Sequence, residues 1–266
     1  MSPSSRLRVG VFGAGGRMGA TVCQAVEADP ALELVAAVDP FHAGLDLRQV
    51  SGVDLPFQVA AGGDALLDAG VEVAVDFTRI DAARENLRWL GEHGIHAVVG
   101  TTGFTDEDHA DFRKVFQSSN CVIAPNFAIG AILMMRFAEL AAPYFESAEI
   151  IELHHENKID APSGTAMLTV ERMGAASGDW SADPTTSETI RGARGAEGPH
   201  GIRVHSVRLK GLVAHQEVLL GTTGQSLVIR HDSYDRSSFM PGVLLAVKQV
   251  ADHPGLTIGL DALINL

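Results

Sequence analysis

The chain has 266 residues, of which 46% are hydrophobic and 20% are charged, a balance that is typical of globular rather than disordered proteins. Its formal net charge of −13 argues against nucleic acid or an anionic membrane surface as a partner. No apolar run approaches the ~18 residues of a membrane span, and no separate hydrophobic leader precedes the first predicted strand. Cys23 and Cys121 lie in apolar runs without metal-ligand spacing. We therefore expect a cytoplasmic protein with reduced, buried cysteines.

The first half of the chain alternates short apolar runs with helix-like segments. Strands are predicted at residues 8–12, 34–38, 73–78, 96–100 and 121–124. Helices are predicted at 18–28 and 82–93, where apolar residues recur at helical spacing. Strands that alternate with helices in this way favour an α/β fold with a doubly wound parallel sheet of the Rossmann type.

The pattern changes after residues 125–127. It predicts a helix at 128–145, a strand at 149–155, a helix that begins at Ser163, a loop at 175–201, alternating strands at 203–210, 217–220 and 226–230, and a closing helix at 243–251. Strands joined by short turns favour an antiparallel or mixed sheet. We therefore predict a dinucleotide-binding domain of residues 1–127 plus 241–266, with an inserted α+β domain at 128–240.

A glycine-rich turn at residues 13–19 (GAGGRMG) follows the first predicted strand and opens the first predicted helix. Glycines here would let the backbone approach a pyrophosphate, which the first helical amides can bind. Met18 replaces the last glycine of a strict G-x-G-x-x-G motif, so the turn alone is equally consistent with tight strand–helix packing. Asp39, about 20 residues further on, favours a dinucleotide because an acid there accepts hydrogen bonds from the adenosine ribose.

The tetrapeptide Gly-Thr-Thr-Gly occurs at residues 100–103 and again at 221–224. The first copy follows a buried strand at its carboxyl end, where open α/β sheets bind ligands. The second copy joins two alternating strands and predicts a hairpin turn. The same four residues therefore predict a ligand contact in one place and a turn in the other.

Arg17 is ambiguous from the sequence. It could be a solvated side chain of the first helical turn, or it could stack on adenine and hold a 2′-phosphate. Asp39 would repel a 2′-phosphate, and Pro40 follows it where an arginine would favour one. We therefore expect NADH to be used at least as readily as NADPH.

A second cluster of polar residues lies at 152–165 (ELHHENKIDAPSGT). His154 and His155 should point to opposite faces of a strand end, and Lys158 can fold back from the loop beyond. Ser163 can cap a helix whose first amides suit a carboxylate. Two adjacent cationic groups, His154 and Lys158, would lower each other's pKa, which suits proton transfer near neutrality.

Three interpretations of this cluster compete. A zinc site would need further ligands, and no cysteine accompanies the histidines. The histidines could instead be satisfied by local hydrogen bonds, with Ser163 as a helix cap and nothing more. The third interpretation is a site for a small acid, which explains the most residues, and it predicts that no metal is needed.

Four motifs together resemble the dihydrodipicolinate reductase family, also called 4-hydroxy-tetrahydrodipicolinate reductases. They are residues 13–19 (GAGGRMG), 99–104 (VGTTGF), 124–130 (APNFAIG) and 152–165, and the similarity continues through 211–217 (GLVAHQE) and 230–236 (RHDSYDR). The resemblance implies an NAD(P)H-dependent reductase of diaminopimelate and lysine biosynthesis. It also implies a Rossmann-type domain, a second domain for substrate binding and oligomerisation built on a mixed sheet, and a homotetramer.

The resemblance also assigns roles by motif. His154 would be a proton donor or acceptor and Lys158 a proton donor, whereas His155, Gly164 and Thr165 would bind the substrate carboxylates. The implied cofactor contacts are Gly13, Ala14, Gly15, Gly16, Arg17, Met18, Asp39, Gly100, Thr101, Thr102, Ala124, Pro125, Asn126 and Phe127. Pro40 departs from family members that have an arginine for the NADPH phosphate, which puts the cofactor preference in doubt.

Two other functions are consistent with a dinucleotide domain. One is another NAD(P)-dependent reductase, of the semialdehyde or homoserine type; an active-site cysteine would favour the semialdehyde class, but Cys121 lies within a predicted strand. The other is a sensor that binds NAD(H) without turnover, which leaves His154 and Lys158 unexplained.

Overall fold

A computed structural model describes residues 6–264 of the chain. The described part divides into two compact units, one drawn from Met1–Phe127 and Phe239–Leu266 and the other formed by Ala128–Ser238. In chain order the strands are β1 (Leu7–Phe12), β2 (Leu32–Val38), β3 (Val73–Asp76), β4 (His96–Val99), β5 (Cys121–Ile123), β6 (Ser147–His154), β7 (Ala196–Glu197), β8 (Arg203–Arg208), β9 (Ala214–Thr222), β10 (Gln225–Ser233) and β11 (Leu256–Ile258). The helices are α1 (Arg17–Ala28), α2 (Leu47–Ser51), α3 (Asp64–Asp68), α4 (Ile80–Glu92), α5 (Asp106–Val115), α6 (Ile129–Ala141), α7 (Gly164–Ala176) and α8 (Met240–Gln249).

The first unit is built on a parallel sheet of six strands in the order β11-β5-β4-β3-β1-β2. Strands β3 and β5 are buried along their whole length, because helices cover both faces of the sheet. The sequence prediction of a doubly wound parallel sheet is therefore confirmed. The sheet order places β1 beside β2 and β3, so the turns that follow these strands meet at one edge.

The second unit contains a five-stranded mixed sheet in the order β10-β9-β6-β8-β7. Strands β6 and β8 run parallel, and the other pairs are antiparallel. Helices α6 and α7 pack on each other, α6 against β10 and α7 against β6. Ile150, Val218 and Leu220, from alternate positions of the central strands, are at most 1% exposed and form the core of this unit.

The long helix predicted at 128–145 is shorter in the structure. Helix α6 ends at Ala141, and a 3₁₀ turn occupies Ala142–Tyr144. Pro143 explains the end, because proline lacks an N–H and its ring clashes with the carbonyl four residues earlier. None of the helices among residues 6–264 is long and apolar enough to cross a membrane.

The loop predicted at 175–201 begins after α7 and contains the short strand β7 and a 3₁₀ turn at Pro199–Gly201. Ion pairs attach the loop to the sheet. Arg194 donates to Glu149 of β6 at 2.6 Å, and Asp183 lies 3.0 Å from the guanidinium of Arg203 in β8. Ion pairs and the backbone pairing of β7 with β8 therefore anchor the loop to the sheet.

Candidate active site

The glycine turn between β1 and α1 is packed too tightly for side chains. Gly13 has φ +73°, a conformation that favours glycine. A Cβ at Gly19 would lie 1.9 Å from the carbonyl oxygen of Gly13, and one at Gly15 would lie 2.2 Å from Nδ1 of His42. The turn and the first helical residues therefore require glycine for the fold itself.

The amides of the turn are used within the protein. Gly13 and Ala14 donate to the carbonyl of Val38, at 2.8 and 3.3 Å, and Gly16 donates to the carbonyl of Gly13 at 2.9 Å. Helix α1 begins at Arg17, and its N-cap supplies no side-chain hydrogen bond. The first amides of a helix have no intrahelical acceptor, so the amides that begin with Arg17 are the ones that suit an anion.

Asp39, at the end of β2, holds this turn in place. Its carboxylate is 6% exposed and accepts from the amides of Gly15 and Phe41, each at 3.0 Å. Nδ1 of His42 lies 3.1 Å from the same carboxylate. Each carboxylate oxygen has a second lone pair, so Asp39 can also accept a hydrogen bond from a ribose hydroxyl. No motif in the sequence singled out His42.

The other implied cofactor residues lie along the same edge of the first sheet. Gly100, Thr101 and Thr102 follow β4, and residues 124–127 follow the adjacent β5. The ring of Phe127 lies 5.8 Å from that of Phe77, between centroids. The hydroxyl of Thr101 donates to the carbonyl of Thr78 at 2.8 Å.

A cavity of about 390 Å³ opens at this edge beside the glycine turn. It is lined by Gly13, Gly16, Asp39, Phe41, Phe77 and Thr78, among others. A glycine turn, an uncapped helix start and an acid at the end of β2 fit a dinucleotide at the carboxyl edge of a parallel sheet.

Asp76 is a buried acid at this edge that the sequence did not indicate as important. Its side chain accepts from the amide of Thr78 at 2.8 Å, from the Thr78 hydroxyl at 2.7 Å and from Asn86 at 2.7 Å. Burial raises the pKa of Asp76, although these hydrogen bonds oppose the change. The carboxyl therefore fixes the loop after β3, which lines the cavity.

In the second unit, His154 ends β6 and contacts Glu152 on the same strand. Nδ1 of His154 lies 2.5 Å from Oε2 of Glu152, which is 0% exposed. Burial lowers the pKa of His154, and the Glu152 carboxylate opposes that shift. The sequence had predicted mutual lowering by His154 and Lys158; Lys158 does contribute, but burial is the larger cause.

Glu152 stays ionised because several donors surround it. Burial alone would raise the pKa of Glu152, but hydrogen bonds, first among them those from Arg208, hold it below its ordinary value. The guanidinium of Arg208 makes two contacts of 2.9 Å to the carboxylate, and the amide of Ser163 donates to it at 3.2 Å. The sequence placed Arg208 only within a predicted strand and missed this pairing.

Lys158 lies in the loop of residues 155–162 between β6 and α7, which we call the Lys158 loop. Its ammonium donates to both carboxylate oxygens of Asp160, at 2.8 Å each. Asp160 is itself more than half exposed, so the pair lies at the protein surface. A soluble dianion can therefore compete with Asp160 for Lys158.

Helix α7 begins beside this loop, with Ser163 as its N-cap. The Ser163 hydroxyl accepts from the amide of Ala166 at 3.2 Å, which confirms the predicted cap. Gly164 is exposed, and a Cβ built on it would meet no atom within 4 Å. His155 is exposed after the end of β6, and Thr165 is half-buried in the first turn.

Within residues 6–264, the His, Cys, Asp and Glu side chains form no group of three or more that could hold a metal ion. Both cysteines are buried and free. The candidate site in the second unit offers the imidazole of His154, the ammonium of Lys158 and the N–H groups at the start of α7.

Family models match both halves of the chain. The model described as "Dihydrodipicolinate reductase, N-terminus" matches residues 7–127, and that described as "Dihydrodipicolinate reductase, C-terminus" matches residues 130–264. The chain belongs to the dihydrodipicolinate reductase family. It is accordingly an NAD(P)H-dependent oxidoreductase.

Named relatives of this family cover almost the whole chain. The 4-hydroxy-tetrahydrodipicolinate reductase of Thermobifida fusca is 54% identical over 98% of this chain and 100% of its own length. That of Cutibacterium acnes is 50% identical over 98% of this chain and 99% of its own. A dipicolinate-bound dihydrodipicolinate reductase from Paenisporosarcina sp. TG-14 superposes with a TM-score of 0.85 at 39% identity, covering 97% of this chain and 99% of its own.

Proposed function

We propose that this protein reduces 4-hydroxy-tetrahydrodipicolinate to tetrahydrodipicolinate with NADH or NADPH, in diaminopimelate and lysine biosynthesis. The observation that carries the proposal is the arrangement in the second unit. There, the pair of buried Glu152 and half-buried His154, the Lys158 loop and the open start of α7 follow one another within residues 152–165. The family membership and the relatives' names support the same reaction.

The substrate is a small cyclic dicarboxylate, so it brings two negative charges to an acidic protein. His155, Lys158 and the amides of Gly164 and Thr165 would neutralise them through charge-assisted hydrogen bonds. The open space beside Gly164 favours this role, because the packing of the protein does not itself require glycine there. The dipicolinate bound to the Paenisporosarcina relative is a ligand of the same chemical type.

The nicotinamide cofactor, when bound, supplies a hydride to the unsaturated ring of the substrate. The residues that would hold it are those of the glycine turn and the two neighbouring loops: Gly13, Ala14, Gly15, Gly16, Arg17, Met18, Asp39, Gly100, Thr101, Thr102, Ala124, Pro125, Asn126 and Phe127. Asp39 opposes a 2′-phosphate and Pro40 offers no charge to hold one. We therefore expect NADH to be used at least as readily as NADPH.

His154 and Lys158 would transfer the protons. Reduction consumes one hydride and one proton, and the hydroxyl of the substrate leaves as water. With Nδ1 of His154 engaged by Glu152, Nε2 is the ring atom available for proton exchange. The lowered pKa of His154 suits exchange near neutral pH.

The alternative functions have weaker support. A semialdehyde-type reductase needs a reactive cysteine, whereas Cys23 and Cys121 are both 0% exposed and burial raises the pKa of each thiol. A sensor without turnover would give no role to the His154 imidazole or to Lys158. The reductase accounts for both.

The assembly and the location are proposed on different grounds. The family resemblance implies a homotetramer associated through the mixed sheets, and the composition of the sequence favours a cytoplasmic protein. Leu227 and Val228 on the edge strand β10 are 38% and 53% exposed, which suits burial against another subunit.

The proposed reaction is tested by supplying the purified protein with enzymatically generated 4-hydroxy-tetrahydrodipicolinate and following oxidation of NADH and of NADPH. We expect oxidation that depends on the substrate, with a kcat/KM for NADH at least equal to that for NADPH. Absence of oxidation with both cofactors would overturn the proposal. A strong preference for NADPH would overturn only the cofactor assignment.

A further inference from the structure

Arg208 connects the Glu152–His154 pair with the Lys158 loop. A guanidinium has five N–H groups, and the structure gives every one of them an acceptor. Nη1 donates to Glu152 and to the carbonyl of Val207, and Nη2 donates to Glu152 and to the carbonyl of Asp160 at 2.6 Å. Nε donates to the carbonyl of Lys158 at 3.3 Å.

The contacts of Arg208 join segments that are distant in sequence. Glu152 and Arg208 are 56 positions apart, and they lie on the parallel strands β6 and β8. The carbonyls of Lys158 and Asp160 flank Ile159, whose side chain is 100% exposed and supplies no packing. Arg208 therefore anchors a loop that has little apolar support of its own.

Glu152 determines where the proton of His154 lies. An ionised carboxylate only accepts hydrogen bonds, so the nitrogen that faces it must carry a hydrogen. That nitrogen is Nδ1, at 2.5 Å. Neutral His154 is then the Nδ1–H tautomer, and its Nε2 lone pair points away from Glu152.

We propose that Glu152 and Arg208 act together as positioning residues, which fix the tautomer of His154 and hold the backbone of the Lys158 loop. This inference rests on the proposed function, because that function assigns proton transfer to His154 and Lys158. Neither positioning residue contacts the substrate in this account. Each acts through the group that it orients.

The first test measures the tautomer directly. Nitrogen chemical shifts of ¹⁵N-histidine-labelled protein, assigned by comparison with His154→Gln, should report the Nδ1–H form of His154 in the wild type at neutral pH. In Glu152→Gln, Arg208 donates to the amide oxygen, which leaves the NH₂ group facing Nδ1 of His154. Because an NH₂ group donates, Nδ1 must accept, and we expect the Nε2–H form. The kcat should fall about 100-fold while the KM for substrate changes little.

The second test separates the two residues. A lysine has three donors and no planar fork, so Arg208→Lys cannot serve both Glu152 and the two loop carbonyls. We expect a lower kcat together with a raised KM, because the Lys158 loop also loses support. Arg230→Lys is the control: Arg230 pairs with Glu217 and Asp232 on the same sheet, and both constants should stay at wild-type values.

Where Glu152→Gln does not fold, the double variant Glu152→Gln/Arg208→Met removes the buried charge together with its partner. The amide of Ser163 still donates to the side-chain oxygen that faces away from His154, so the same loss of the Nδ1–H form is expected. An Nε2–H tautomer in the wild type would overturn the positioning role, and so would wild-type kcat and tautomer in the variants that carry Glu152→Gln. Neither result would contradict the proposed reaction. That reaction is overturned instead by the absence of substrate-dependent oxidation of NADH and NADPH by the wild type, whereas full turnover of His154→Gln would overturn only the proton-transfer role of His154.

Discussion

The glycines at the two candidate ligand sites differ in whether the packing of the protein requires them. Gly15 and Gly19 are required by the fold, since a Cβ on Gly15 would lie 2.2 Å from His42 and one on Gly19 would lie 1.9 Å from the backbone of Gly13. Gly164 has open space around its Cα and does not have a positive φ. A glycine that the protein's own packing does not require is best explained by what binds there.

Gly164→Ala tests that explanation. Alanine fits the helical backbone, so we expect the free energy of unfolding to stay constant or rise by about 0.4–1 kcal/mol. The added methyl group should nonetheless obstruct the first-turn amides and raise the Kd of dipicolinate about tenfold. This corresponds to a loss of about 1.4 kcal/mol of binding free energy. Calorimetric titration and denaturant unfolding measure the two effects.

Gly19→Ala is the matched control, because its Cβ would meet the Gly13 carbonyl oxygen at 1.9 Å and should destabilise the first unit. Unchanged dipicolinate binding by Gly164→Ala would contradict a carboxylate site at the start of α7.

Single residues also mark the limit of what the sequence could predict. Local spacing was enough to predict the cap at Ser163 and to single out His154 and Lys158 as candidates, because these residues are near neighbours in the chain. It could not reveal that Arg208 pairs with Glu152, since their contact depends on the parallel pairing of β6 with β8. His42 was missed for the same reason, as only the folded turn brings it against Gly15.

At the scale of elements, α5 combines one buried aromatic residue, Phe112, with polar contacts at its start. Thr105 caps it in a capping box with Asp108, whose carboxylate also accepts two hydrogen bonds of 2.9 Å from Arg84 of α4. The hydrogen bond from Arg84 lowers the pKa of Asp108 to about 2. The ionised carboxylate therefore stabilises the folded unit wherever the pH exceeds its unfolded pKa.

Asp108→Asn should lower the free energy of unfolding by about 1–2 kcal/mol at pH 7, since it weakens a helix cap and a bidentate ion pair. Because the folded pKa is depressed, this contribution is complete above the unfolded value of 3.8 and is lost as the pH falls towards 2. The wild type and the variant should therefore converge on acidification. Urea unfolding at a series of pH values measures this.

Asp111→Asn is the control, because Asp111 pairs with Arg88 between the same two helices at an exposed position. We expect a loss of about 0–1 kcal/mol there. A larger loss for Asp111→Asn than for Asp108→Asn would contradict the account of α5.

Elements with an apolar period were predicted well, and those without one were missed. Strands β1 to β5 and helix α4 were predicted from their apolar runs and spacing, whereas the three-residue strand β11 of the same sheet was missed. Helix α5 was not predicted, since polar caps and ion pairs specify it rather than an apolar stripe. The five-residue helices α2 and α3 are too short for their spacing to stand out.

At the scale of the whole molecule, the chain forms a parallel-sheet unit and a mixed-sheet unit, and it passes from one to the other after Phe127 and again after Ser238. Each unit carries one half of the proposed chemistry: a dinucleotide site in the first and a dicarboxylate and proton-transfer site in the second. The change of sequence pattern after residue 127 was the signal that predicted this division of roles.

We assign the proton transfer of dicarboxylate reduction to His154 and Lys158. The most direct test is the kcat of His154→Gln, Lys158→Ala and the double variant, with NADH and saturating 4-hydroxy-tetrahydrodipicolinate. We predict that each single variant loses about 10²- to 10⁴-fold in kcat and that the double variant loses far less than the product of the two. Near wild-type turnover in either single variant would contradict the claim.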